Sequence, residues 1–356
     1  MRASKYKQLL AIGVSTLMIG ALAACSGGAT PPLASNGASG GASKLASLIA
    51  AAKKEGQVTW YQVDPPELDQ KIAEAFTAKY GIKANFTRLT TSAMQTRYSS
   101  EAQAGAVQAD LIVASNGAFV EDAAKKGWLT PVTGKVPGFP FAGFNTKFLH
   151  DDQGTPTLSV PLKVIAYNTD KIKKADAPKD WSDLADSKYK GQLLIVDPAS
   201  SDSFPQFWSV VADKEGAGLP AKIAKNIKQL EPDGGVPMVQ QLAAGEAEIA
   251  VPPIAQDVVT VQQSGAPVAF VVPPVTTGSE HVLGLSKDAP HPAAAALLAY
   301  FLLSKDAAKI LAAAPGVMSP YQGIGVAEPK GYVPSSPDDG VKNADMFNKI
   351  FGSGGQ

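Results

Sequence analysis

The chain has one cysteine, Cys25, and three histidines in 356 residues. A single cysteine excludes an intrachain disulfide. His150 and His291 sit in loop contexts, and His281 follows Glu280 as a lone histidine, which reads as structural. No HExxH helix and no GxSxG turn accompanies them, so a zinc hydrolase or a nucleophile-elbow enzyme lacks its parts. No cage of His, Cys, Asp and Glu stands at metal-ligand spacing either. Arginine is scarce: Arg2, Arg88 and Arg97 are all there is. Since arginine is the preferred fork for carboxylate and phosphate, that scarcity narrows the site chemistries open to the chain. Basic and acidic residues balance at 32 each, and the first 24 residues hold three of the basic ones and no acid. The remainder has 29 against 32, a net charge of about −3, and no basic field to hold nucleic acid. One long apolar run exists, Leu9 to Ala24, about 16 residues against the roughly 20 a spanning helix needs.

Arg2, Lys5 and Lys7 precede that run, and Leu22-Ala23-Ala24 lead into Cys25. This is a basic region, an apolar region and small residues at a cleavage point. A signal ending in cysteine resembles a bacterial lipoprotein signal. The resemblance implies that residues 1–24 are removed and that Cys25 becomes the first residue and carries lipid, palmitate included. The protein would then work outside the cytoplasm, lipid-anchored to the bacterial membrane. Residues 25–44, rich in Gly, Ala, Ser and Pro, read as a flexible linker.

Beyond the linker the chain is long enough for two domains. Leu45 to Glu55 has helical spacing and Gly56 behind it as a cap. Gln57 to Val63, Ile82 to Leu89 and Asp110 to Ala114 read as strands. Glu67 to Tyr80, Ala93 to Ala104 and Ala118 to Lys126 read as the helices between and after them. The alternation argues for parallel strands with helices on both faces. After an irregular stretch, Leu158 to Asn168 is strand-like and a second alternating run begins. It comprises strands at 192–196, 247–251 and 267–272, and helices at 204–214, 220–230, 237–244 and 256–263. A strand at 279–285, helices at 292–303 and 305–314 and a helix near 343–351 complete the reading.

Several stretches in this order resemble the class II periplasmic solute-binding proteins of ABC importers, in the branch of ferric-ion, polyamine, thiamine and aminophosphonate binders. They are Gly56 to Tyr61, Ala75 to Lys83, Arg97 and Glu101 through to Ile112, Ile165 to Thr169, Trp181 to Leu184 with Tyr189-Lys190-Gly191, Ala243 to Glu246, and Leu303 to Asp306. The resemblance implies an α/β fold of two lobes with mainly parallel sheets joined by two crossover strands. Residues 45–163 plus 278–356 would form one lobe and residues 169–272 the other. It implies a monomer without cofactor or catalysis that captures a small-molecule ligand and delivers it to an ABC permease.

In such a fold the ligand lies at the carboxyl ends of the strands, between the lobes. Helix starts there offer free N–H groups, and the polar turns that would supply them are legible. Thr91 and Ser92, Ser115 and Asn116, Ser200 and Ser203, and Asp257 mark four such turns, and Asp64 follows the first strand. Lys163 lies next to the first crossover and can neutralise an acidic group. Together these favour a small organic anion or zwitterion. Asp64, Asp202, Asp257 and Glu280 support the alternative, a polyamine- or thiamine-like cation. Ferric binders of this branch use adjacent tyrosines in the second lobe. No Tyr-Tyr occurs in this chain, so no metal site is expected. A secreted, lipid-anchored hydrolase is the alternative from another class.

Overall fold

A computed structural model describes residues 36–150 and 154–352. The leader, Cys25 and the first part of the expected linker lie outside them. In chain order the first lobe is built from α1 (Asn36–Glu55), β1 (Gln57–Gln62), α2 (Pro66–Tyr80), β2 (Lys83–Arg88), α3 (Thr91–Gln103), β3 (Leu111–Ser115), α4 (Ala118–Lys125), β4 (Leu129–Thr130) and β5 (Thr157–Pro161). The second holds β6 (Ile165–Asn168), β7 (Leu193–Val196), α5 (Ser203–Glu215), α6 (Leu219–Ala224), β8 (Ile227–Glu231), α7 (Val236–Ala243), β9 (Ile249–Val251), α8 (Ala255–Gln263) and β10 (Val268–Val271). The chain then returns through β11 (His281–Ser286), α9 (Pro292–Leu302), α10 (Lys305–Leu311) and β12 (Val317–Met318) before α11 (Pro337–Phe351).

The first sheet runs β12-β5-β11-β3-β1-β2, with β4 on β11; the second runs β10-β6-β9-β7-β8. Both are mixed, where mainly parallel sheets are expected. β2-β1-β3 and β8-β7-β9 are parallel, as strand–helix alternation requires. The strands on the crossover side, β5, β11, β6 and β10, pair antiparallel because the chain arrives from the other lobe and not through a covering helix. Apolar side chains cover both faces of each sheet. Tyr61, Met94, Tyr98, Ile112 and Phe119 fill one face of the first. Trp181, Leu193, Ile195, Phe207, Trp208 and Val211 fill one face of the second.

Four expectations need correction. α1 begins at Asn36, inside the stretch read as linker. Leu45, Leu48 and Ile49 pack on the core and anchor this helix to the first lobe. The expected helix at 220–230 ends at Ala224, and Ile227–Glu231 is a strand at the sheet edge. Asn226 makes the turn, its side-chain amide donating to the carbonyls of Leu184 and Asp186. The strand-like run at 158–168 divides into β5 and β6 around Leu162 to Val164, where the chain changes lobe. Finally, α11 packs on the second lobe, where the sequence assigns residues 278–356 to the first. Phe347 and Phe351 join Trp208 there, and the Trp208 and Phe351 rings stand 4.5 Å apart. A third passage of chain therefore links the lobes, alongside the second crossover: Val333 N donates to Thr276 O and Thr276 N to Gly331 O.

Candidate functional site

The carboxyl ends of the parallel strands in both lobes face one another. Between them lies a small cavity of about 70 Å³. Of the residues singled out from the sequence, Thr91, Ser115, Lys163, Ser200, Ser203 and Asp257 line it. Four helix starts converge on it: Thr90-Thr91 at α3, Ser203 at α5, Gly235 at α7 and Ile254 at α8. Each presents backbone N–H groups and the positive end of a helix dipole.

Asp64, Ser92 and Asn116 stand outside the lining. The Asp64 carboxylate lies one layer back, its Oδ1 2.8 Å from His281 Nδ1. Ser92 Oγ donates across the cleft to the carbonyls of Ala199 and Ser200, at 3.0 and 2.8 Å. Asn116 O accepts from Gln206 Nε2 of the second lobe at 3.0 Å. Asp202, a candidate for holding a cation, instead accepts from Phe119 N at the start of α4, at 3.3 Å. These contacts clasp the lobes shut around the cavity. Gly117 is required at the same seam, because a Cβ there would stand 2.7 Å from Asp202 Cβ.

Arg88, Asp233, Phe204 and His281 also line the cavity, and sequence reasoning missed them. Arg88 ends β2, and its guanidinium grips the Asp233 carboxylate of the opposite lobe through both nitrogens, Nη2 at 3.0 Å from Oδ1. Its scarcity and its place at a strand end were the available signal. His281 opens β11, which runs antiparallel. Its first residue therefore lies beside Ser115, the last of β3, at the ligand edge of the sheet.

Lys163 is the most unusual group. It is fully buried beside the first crossover, with Nζ 3.2 Å from Ser203 Oγ and 3.9 Å from the centre of the Phe204 ring. Among the described residues no carboxylate comes within ion-pair distance of it. Burial pushes its ammonium down to about 7, against a smaller opposing pull from Asp257. Burial likewise pushes the Asp257 carboxyl up to about 7; Arg88 opposes this and Asp233 adds to it. The Asp233 carboxylate is held below its ordinary value by Arg88, which outweighs its own desolvation. The site thus has one neutralised ion pair, one carboxyl poised to hold a proton, and one ammonium without a counter-charge.

The sequence matches the model of the bacterial extracellular solute-binding proteins over residues 71–327. A Haemophilus influenzae protein of uncharacterized role is 26% identical over 244 residues, 66% of this chain and 68% of that one. Among solved structures, iron-bound HitA from Pseudomonas aeruginosa shares the fold at 18% identity and a TM-score of 0.66, covering 84% of this chain and 99% of that one. AfuA from Actinobacillus pleuropneumoniae with fructose-6-phosphate bound does so at 20% identity and a TM-score of 0.67, over 84% and 97%. The substrate-binding protein of an ABC transporter from Agrobacterium tumefaciens does so at 12% and 0.70, over 83% and 94%. With the class II fold of these structures and a family match over most of its length, this chain belongs to the bacterial extracellular solute-binding proteins.

Proposed function

We propose that the solute is a small organic anion or zwitterion, bound in the interlobe cavity with its negative group against Lys163. The observation that carries this is the Lys163 ammonium, fully buried at the cavity wall with Ser203 as its hydrogen-bond partner. An anion beside it restores the charged form that burial disfavours. Helix starts from both lobes add N–H donors on the same cavity.

A cation fits poorly. Phe204 is the one Phe, Tyr or Trp ring among the described lining residues, and Lys163 already stacks on it. Asp233 is committed to Arg88. Iron, the cargo of HitA, would find no tyrosine among the described lining residues and one uncommitted carboxyl, Asp257. That is a thin set of hard anionic donors. Fructose-6-phosphate, the ligand of AfuA, has the charge this reading favours.

The same proposal includes a lipid anchor at Cys25, on the strength of the signal pattern, and a monomer that gives up its solute to a permease without turning it over. A thermal-shift panel tests the ligand class. At a hundredfold excess over its dissociation constant, a true ligand stabilises by about 2.7 kcal/mol. Phosphate esters, phosphonates and carboxylates are expected to raise the melting temperature. Stabilisation by spermidine, putrescine or thiamine with none by the anions refutes the reading.

A further inference from the structure

Asp64 and His281 are both about 2% exposed and meet Oδ1 to Nδ1 at 2.8 Å. His281 reaches the cavity wall, and Asp64 supports it from behind. Among the described residues nothing hydrogen-bonds to His281 Nε2. A carboxylate on one ring nitrogen keeps the proton there. The other nitrogen is then an acceptor in the neutral ring and a donor in the imidazolium.

Asp69 on α2 lies near Asp64, and burial together with the Asp64 charge pushes its carboxyl well up. Asp64, not Asp69, is the carboxyl that faces the ring. From the neighbouring strands, Ser115 on β3 and Ser159 on β5 stand opposite His281, and both are uncharged. Around the cavity the charged groups are Lys163, the Arg88–Asp233 pair and Asp257. The one open valence of His281 thus points to the solute space, with a buried negative charge behind the ring.

We propose that His281 is a ligand-binding residue that donates Nε2–H to the bound anion as an imidazolium, and that Asp64 is the positioning residue that fixes its tautomer and stabilises its charge. The proposal rests on the anion reading above. The bound anion then meets a charge-assisted N–H donor at the cavity wall.

The test is nitrogen-15 NMR of the imidazoles, since three histidines are readily assigned with His→Gln variants. In the ligand-free protein the neutral ring of His281 is expected to carry its proton on Nδ1. A proton on Nε2 overturns the proposal and needs no variant of His281 to detect. Sulfate, a dianion that does not titrate near neutrality, is expected to hold His281 doubly protonated to a pH at least one unit higher. His281→Gln should weaken sulfate tenfold or more, as loss of a charge-assisted hydrogen bond does, while His291→Gln leaves it unchanged. Asp64→Asn should weaken sulfate and shift the neutral ring's proton from Nδ1 toward Nε2 in the same spectra, which a merely structural role would not do. Sulfate binding with His281 unmoved overturns this proposal and leaves the anion reading standing. Failure of sulfate, inorganic phosphate and small carboxylates to bind the wild-type protein overturns both.

Discussion

Replacing Lys163 with methionine should stabilise the ligand-free protein and abolish its anion binding. Methionine keeps the length and apolar stem of the side chain and removes the ammonium. The fall from 10.5 to about 7 corresponds to about 5 kcal/mol of lost preference for the charged form, at about 1.4 kcal/mol per pH unit. Against that, the variant loses the Ser203 hydrogen bond, about 1 kcal/mol, and the stacking on Phe204, about another. The net gain near pH 7 is then about 3 kcal/mol. The pH dependence carries the sign. Lys163 titrates lower in the folded state than in the unfolded one. Between about pH 7 and 10.5 the unfolded chain binds the extra proton, and stability rises with pH across that window. The wild-type protein should show this slope from Lys163, and Lys163→Met should lose it. Melting curves from pH 6 to 10, with and without a stabilising anion, measure both effects. A variant less stable than wild type at pH 7, or one that still binds the anion at wild-type affinity, refutes the argument.

Other perturbations bear on the frame around the site. Gly117→Ala places a methyl against Asp202 and should hold the lobes apart; small-angle scattering should find no compaction with ligand, and affinity should fall at least tenfold without loss of fold. Phe347→Ala should cost about 3–5 kcal/mol and red-shift tryptophan fluorescence, because the ring is buried in the cluster that holds Trp208. Cys25→Ser should release the protein from membranes into the soluble fraction, and unchanged membrane retention would refute the anchor.

Local patterns made much of the fold legible. The turns Asp64-Pro65-Pro66 and Gly81, the capping residues Thr91-Ser92 and the short apolar strand read at Asp110 to Ala114 each mark an element boundary within a residue or two. β8 escaped because an edge strand with Lys228 and Gln229 exposed has no apolar signature. The docking of α11 escaped because only long-range contact reveals which lobe receives Phe347 and Phe351. At the site, the Ser and Thr turns and Lys163 could be found because strand ends and helix starts carry local signals. His281 could not, since its place at the ligand edge depends on β11 running backwards between β3 and β5. Asp64 was singled out from its place after the first strand, but its hydrogen bond to His281, one layer behind the cavity, was not foretold. Asp202 looked like a ligand group because nothing local foretells that it caps a helix across the cleft.

Calorimetric titration of the stabilising solute at pH 8, in two buffers of different ionisation enthalpy, tests the central claim most directly. An anion bound at Lys163 raises a titration that stands near 7 in the free site, so binding must take up protons, approaching one per solute from this lysine alone. Net uptake of protons is the predicted result. Absence of proton uptake, as a cation beside an Asp257 already largely ionised at pH 8 would give, contradicts the account.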